Sequence, residues 1–376
     1  MKTKINFTFV LLLITSTLFA QSISVTVTNN SKQNKADQVV EVDLQQLLEK
    51  SKIKDVEKIT VLGNDNSVLI SQLYDSDFNG EFDLLLFQDS FSEGEQKEYT
   101  VKTAGEKPEF ESKVYAKFVE GREDIAWESD KAAFRMYGPP LAAEVDNGID
   151  VWSKSVSYLI VDKWYRLEEE GVSSYHDDNG EGADFFSVGK SLGCGGSALK
   201  VDGKLYQSGV YKTYKILANG PLRLAFQLNY EFEVNEQKVT EQKVVTMDAG
   251  SQLNKIEAVY ESAPSDAAFV FGLVKTNRTK SSSSFKNSVI SLWGDMTDNK
   301  ENGGIGTGAL SINPSDLQIV EDSTHLYISQ SLTEKNIYYA GACWDKADEI
   351  KSDKEWRKYL KDFKKSILNP VVIVIN

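Results

Sequence analysis

The protein has 376 residues, 26% charged and 41% hydrophobic, the balance of a globular chain rather than a disordered one. Lys plus Arg number 42 against 56 Asp plus Glu, so the formal net charge is −14; a field of that sign repels phosphate backbones and argues against nucleic-acid binding. A mean hydropathy of −0.35 excludes a polytopic membrane protein.

Residues 1–20 read MKTKINFTFVLLLITSTLFA. Two lysines precede a short apolar stretch that ends at Ala20, the pattern of a secretory signal peptide. The stretch is short for a spanning helix, and no second run of spanning length follows. The expectation is export to the periplasm or medium, with no membrane span. In an oxidising compartment Cys194 and Cys343 are free to pair, although a separation of 149 positions leaves their proximity open.

Strand patterns then dominate. SISVTVTN (22–29) alternates with period two; KITVLG (58–63), SVLISQLY (67–74), FDLLLFQDSF (82–91) and KEYTVKT (97–103) follow at near-regular spacing. VDLQQLLEKSKI (42–53) reads as a short helix or turn. These segments predict a small β-sandwich over 21–112, closed by the charged stretch AGEKPEFESK (104–113). From 113 to 376 the β signal resumes in KVYAKFV, VSYLIVDKWY, LRLAFQLNYEFEV, KVTEQKVVTM, NKIEAVYES, AFVFGLVKT, SVISLW, HLYISQS and NIYYAGAC. One helix is expected over 346–367, and PVVIVIN (370–376) reads as a last strand. The fold class is all-β: a small sandwich followed by a large sandwich of two extended sheets.

The densest cluster of unusual residues spans 134–196. It gathers Arg135, Tyr137, Trp152, Lys154, Lys163, Trp164, Tyr175, His176 and Lys190 among many Gly, Asp and Asn. Aromatic faces can stack on sugar rings while polar groups take the hydroxyls, so the cluster reads as a saccharide site; solvated hairpin loops are the plainer alternative. His176, one of only two histidines, suits proton transfer near neutral pH, whereas His325 reads as structural. No GxSxG or complete phosphate loop is present. Asp75, Asp77, Asn79 and Asp83, with Gly80, match the first half of a calcium loop, but Leu86 stands where the bidentate Glu belongs. A structural Ca2+ there competes with a plain acidic turn, and no other cofactor is indicated.

FRMYGPP (134–140), NGIDVWSK (147–154), YHDDNGEGADFFSVGKSLGCGGSAL (175–199), NGPLRLAFQLNYE (219–231) and MDAGSQLNKIEAVYES (247–262), in that order, resemble an exported bacterial family of formerly unknown function. That family includes the ulvan-oligosaccharide dehydratases of marine polysaccharide-degrading bacteria. The resemblance implies a galactose-mutarotase-like β-supersandwich. It also implies loss of water from a non-reducing-end glucuronic or iduronic acid linked to sulfated rhamnose, giving a 4,5-unsaturated uronyl residue. It assigns no residue roles.

The chemistry itself dictates the groups required. The C5 proton lies α to a carboxylate and is weakly acidic, so a cation must stabilise the developing dianion while a base takes the proton and an acid serves the departing 4-hydroxyl. Arg135 or Lys163 suits the carboxylate; His176 and Tyr175 suit proton transfer, with Tyr137 in reserve because neighbours on a strand face opposite ways. Trp152 and Trp164 are stacking candidates. Lys154 and Lys190 complete an expected basic cleft in an acidic body. A polysaccharide lyase and a non-catalytic acidic-glycan-binding protein are the competing readings.

Overall fold

The computed structural model describes residues 22–312, 314–347 and 349–376. The expected signal segment, 1–20, lies outside the described residues. The architecture is all-β, a small sandwich beside a large one, as the strand patterns predict.

The small sandwich packs a five-stranded sheet on a three-stranded one. Alternating Val25, Val27, Val61, Val101 and Tyr99 face Val40, Val42, Leu85 and Phe87 across the interface. The expected helix is there as Leu44–Lys50, capped by Asp43, whose carboxylate accepts the Gln46 N–H. Two features differ from the sequence reading. SVLISQLY is two strands rather than one: Val68–Leu69 pairs with Ile59–Leu62, and Ser71–Tyr74 crosses to pair with Leu84–Phe91 in the other sheet. The strand Val372–Ile375, expected to finish the large domain, instead pairs antiparallel with Ser22–Thr28. The boundary at 112–113 therefore divides the chain in sequence but not in space.

In the large sandwich an eight-stranded antiparallel sheet covers two five-stranded sheets. The latter two meet where Ile149 bridges Gly193 in parallel. Between the layers lies the main core, with Trp127, Phe134, Phe226, Phe271 and Tyr338. The C-terminal helix is Asp353–Leu368, capped by Ser352. It lays Trp356 and Leu360 over the glycines of Gly304–Ser311, where a Cβ at Gly308 would come within 2.6 Å of Leu360. Cys194 and Cys343 are both buried free thiols.

VDKWY, read as part of a strand, is helical in Val161–Glu169. Val161, Trp164 and Tyr165 are its buried positions, a helical spacing. Its first amides are received by a distant side chain, since the buried Glu128 carboxylate accepts the Ile160 and Val161 N–H groups at 2.7–2.9 Å. A long-range cap of this kind is invisible to local pattern.

Trp356 is fully buried and donates its indole N–H to the Thr307 carbonyl. Trp356→Ala is expected to destabilise the fold by about 3–5 kcal/mol, read as a lower denaturant midpoint.

Candidate functional site

The strands Asp124–Ser129, Ala133–Met136 and Asp150–Lys154 are neighbours in one sheet. Alternation sends Ile125, Trp127, Phe134, Met136 and Val151 into the core and turns Asp124, Glu128, Arg135, Asp150, Trp152 and Lys154 to the other face. The helix Val161–Glu169 and the loop 174–190 cover that face.

Arg135 is its centre. Nε and Nη2 donate to Asp150 Oδ2 at 3.0 and 2.7 Å, Nη2 also reaches Asp184 Oδ2 at 2.7 Å and the Tyr137 hydroxyl at 2.7 Å, and Nη1 donates to the Tyr175 hydroxyl at 3.2 Å. Burial opposes its charge, but Asp150 and Asp184 outweigh that and hold it firmly protonated. The two carboxyls are pushed upward by burial, and Asp184 further by Asp150. Among the described residues their Oδ1 atoms are buried without a hydrogen-bond partner.

Tyr175 and His176 do not face opposite ways. They lie in a turn, not a strand, and their rings pack at 4.5 Å between centroids. The Tyr175 oxygen accepts from Arg135 and, at 2.8 Å, from Arg122. Burial raises its pKa against both cations, so it remains a phenol. His176 donates Nδ1–H to the Asp184 carbonyl at 3.1 Å, which fixes the tautomer and leaves Nε2 as the free lone pair. Its side chain is 56% exposed.

Several expected roles need correction. Lys154 is fully buried, bonded to Glu128 at 2.7 Å and to the Ser129 carbonyl, so it cannot touch a ligand. Lys163 is bound to Glu181, which Trp164 and Tyr158 also hold. Trp152 and Trp164 are not sugar platforms: they stack on each other at 5.5 Å, and Trp152 stacks on Tyr175 at 4.9 Å, under the loop. Arg135 is committed to its two carboxylates. Lys190 is exposed and has no ion-pair partner among the described residues. Apart from Lys190, the cations of the expected cleft are each neutralised by an acid, as burial requires of Arg135 and Lys154.

Arg122 was not expected from the sequence. It sits in a charged turn, Glu120–Arg122, that carries no motif. Its side chain is 40% exposed, 3.6 Å from Glu168 and stacked over the Tyr175 ring. Gly138 makes this approach possible: a Cβ there would lie 1.7 Å from the Glu123 carbonyl, so FRMYGPP can press against the turn only with glycine.

Asp75, Asp77, Asn79 and Asp83 lie far from this cluster in sequence and bind their own loop. Asp75 accepts the Asn79 and Gly80 amides, Asp77 the Asn79 side chain, Asn79 the Glu81 amide and Asp83 the Ser76 amide. Among the described residues no group of three or more His, Cys, Asp or Glu is placed to hold a metal ion. A separate groove of about 1380 Å³ lies between the small sandwich and the eight-stranded sheet. Of its cations Arg223 pairs with Glu41 and Asp248, and Lys255 and Lys335 with Glu257, whereas Lys35 bonds to Ser366 and Lys215 has no ion pair among the described residues.

Residues 27–373 match the family described as a domain of unknown function, DUF4861, and the chain belongs to that family. It is 31% identical over 329 residues to uncharacterized protein P7 of Formosa agariphila, covering 82% of each chain. Its fold is similar to a protein in glycosyl hydrolase family 38 from Enterococcus faecalis, at a TM-score of 0.53 and 10% identity, with 94% of this chain and 47% of that one covered. An alpha-mannosidase from Enterococcus faecalis gives 0.52 and 9%, with 94% and 46% covered. The chain thus spans about half the length of the solved structures it matches, and likeness at this identity shows the fold alone.

Asp124, beside Arg135 and Arg122, accepts the Gly138 N–H at 3.1 Å, and burial raises its carboxyl to about 6. A carboxyl raised on folding binds its proton more tightly in the native state, so stability from this group is full below the usual range near 3.8 and is lost as pH rises to about 6. Asp124→Asn keeps the acceptor oxygen. It is expected to flatten that part of the pH–stability curve by about 1–3 kcal/mol, measured by denaturation at pH 4 and pH 7.

Proposed function

We propose that the protein eliminates water across C4–C5 of a uronic acid at the non-reducing end of a sulfated, ulvan-type oligosaccharide, as an exported carbon–oxygen lyase. The observation that carries this reading is the packing of an exposed imidazole on a phenol whose oxygen receives two guanidinium donors. It supplies a base, an acid and positive charge within one cluster, the three requirements of the elimination.

In this reading His176 Nε2 takes the C5 proton. The Asp184 carbonyl orients the ring and the buried Asp184 carboxylate, 3.6 Å from Nδ1, stabilises the imidazolium that forms. Tyr175, kept protonated by burial, donates to the departing 4-hydroxyl. Arg122, the half-open guanidinium, receives the substrate carboxylate and offsets charge as it spreads onto the enolate. Arg135 does not touch substrate; it positions Tyr137, Tyr175 and Asp184. Lys190 is the cation left free for a sulfate.

A glycoside hydrolase would need two accessible carboxyl groups on either side of the scissile bond. Asp150 and Asp184, the carboxylates at this centre, are 0% and 2% exposed and share one guanidinium nitrogen. They are structural in this reading.

The test is mass spectrometry on a saturated uronic acid–sulfated rhamnose oligosaccharide, with ultraviolet absorbance of the conjugated product. Loss of one water without chain shortening is the expected result. Shortened, absorbing products would make the protein a chain-cleaving lyase, and retention of an unchanged glycan would make it a binding protein. His176→Ala is expected to lower kcat/KM by about 10²–10⁴-fold while leaving the unfolding transition in place.

A further inference from the structure

The groove of about 1380 Å³ takes no part in the reaction proposed above. Its floor is the outer face of Arg223–Val234, Gln237–Asp248 and Leu253–Glu261, with Thr213–Asn219 on one side and Asn336–Trp344 on the other. The inner face of the same strands carries Phe226, Leu228, Val245 and Ile256 into the main core. There Phe226 packs on Trp127, from the sheet that carries Arg135 on its far face, at 4.9 Å between centroids. The groove and the His176 cluster therefore lie on opposite sides of that core, and no single sugar reaches both.

Antiparallel register lays the floor out as a grid. Lys215, Gln227, Val244 and Glu257 form one row across neighbouring strands, and Thr246, Lys255 and Tyr339 belong to the next. Neighbouring strands stand about 4.7–4.9 Å apart, and side chains facing one way along a strand recur every two residues, about 7 Å. Across the strands, side chains are thus offered at a pitch close to the length of one pyranose.

This floor excludes several classes of ligand. The backbone groups of its central strands are taken by neighbours on both sides, so an extended peptide cannot add as a strand. An acyl chain would have to desolvate the charged side chains that run through it. An anion meets Glu41, Asp248 and Glu257, and most of the cations are already paired with acids. Lys35 is spent on the Ser366 hydroxyl and carbonyl, which leaves Lys215 as the cation without such a partner among the described residues.

The lining suits an uncharged ligand rich in hydroxyls. A paired acid and base still offer acceptor and donor atoms, and covering them strands no net charge. Gln227 donates Nε2–H to Asn229 Oδ1 at 3.0 Å, which leaves its carbonyl oxygen as an acceptor. Phe78, half-buried and packed edge-on to Tyr74, adds an apolar wall for the C–H face of a sugar. The volume exceeds the roughly 300–1,000 Å³ of a site for one drug-sized molecule, so it accommodates several sugars. We infer that the groove binds a linear, uncharged oligosaccharide laid across the strands of the eight-stranded sheet, as a glycan site separate from the His176 cluster and independent of the dehydration reading.

The experiment is calorimetric titration of the full chain with cellohexaose, mannohexaose and xylohexaose, and with the sulfated uronic acid–rhamnose oligosaccharide. The expected result is saturable binding of at least one neutral hexasaccharide. Gln227→Ala combined with Gln242→Ala is expected to weaken it about 10-fold or more, the scale of one or two lost hydrogen bonds, while His176→Ala leaves it unchanged. Both glutamines face the groove rather than the core, so the unfolding midpoint of the double variant should match the parent; should it fall, Lys215→Ala, at an exposed position, gives the same readout. No binding of any neutral hexasaccharide, binding of the sulfated one alone, binding that survives the groove variants, or binding lost with His176→Ala would each overturn the inference. Water loss from the sulfated oligosaccharide is read separately, so the two readings fail independently.

Discussion

The arrangement around Arg135 is the constraint on which the rest of this face depends. One guanidinium, 4% exposed, faces two carboxylates that are nearly inaccessible. Asp150 comes from the next strand and Asp184 from the long covering loop, so the charge requirement is also a mechanical one. Breaking a buried pair by removing one partner leaves an uncompensated charge, which is strongly unfavourable. The loop is thereby held to the sheet, and with it Tyr175 and His176. Aromatic packing of Trp152, Trp164, Tyr165 and Tyr175 completes the seal on the side of the helix Val161–Glu169.

The same logic runs through the neighbouring charges. Glu128 answers Lys154 from below and the first amides of the helix from above, so one carboxylate fixes a strand and a helix together. Glu181 gathers Tyr158, just ahead of that helix, with Lys163 and Trp164 of its first turn. A body with net charge −14 needs no basic cleft to be built this way. Its cations are placed where burial would otherwise strand an acid. Open to solvent on this face are, among others, the imidazole edge of His176, part of Arg122, Lys163 and Lys190.

Much of the fold was legible because period-two alternation survives wherever one sheet face is buried, as in Ser22–Thr28 and Gln237–Asp248. The misreadings share a cause. Lys35–Asp43 was missed because a register shift interrupts its alternation between Lys35 and Gln38. VDKWY lost its helix to a cap supplied from more than thirty residues away in sequence, by Glu128. In the candidate site, residue types marked the right neighbourhood but not their burial. Lys154 and Trp152 looked available because nothing local says which face helix and loop will cover. Tyr175 and His176 were set apart by a strand rule that a turn does not obey. Arg122 stood in an unremarkable charged turn, and nothing local shows that it will meet the Tyr175 hydroxyl.

The strand Val372–Ile375 lies against Ser22–Thr28, and the Asn376 side chain reaches Thr26 across 350 positions of sequence. During synthesis the first of these strands emerges long before its neighbour exists. Until then its outer edge is an unsatisfied row of amides and carbonyls beside the apolar Ile23, Val25 and Val27. The small sandwich is thus the last part of the molecule able to finish, although its own chain is made first. Closing so long a loop adds only a slowly growing entropic cost, but it makes that sheet edge the place where a half-made chain is open to capture by a chaperone or by another copy of itself.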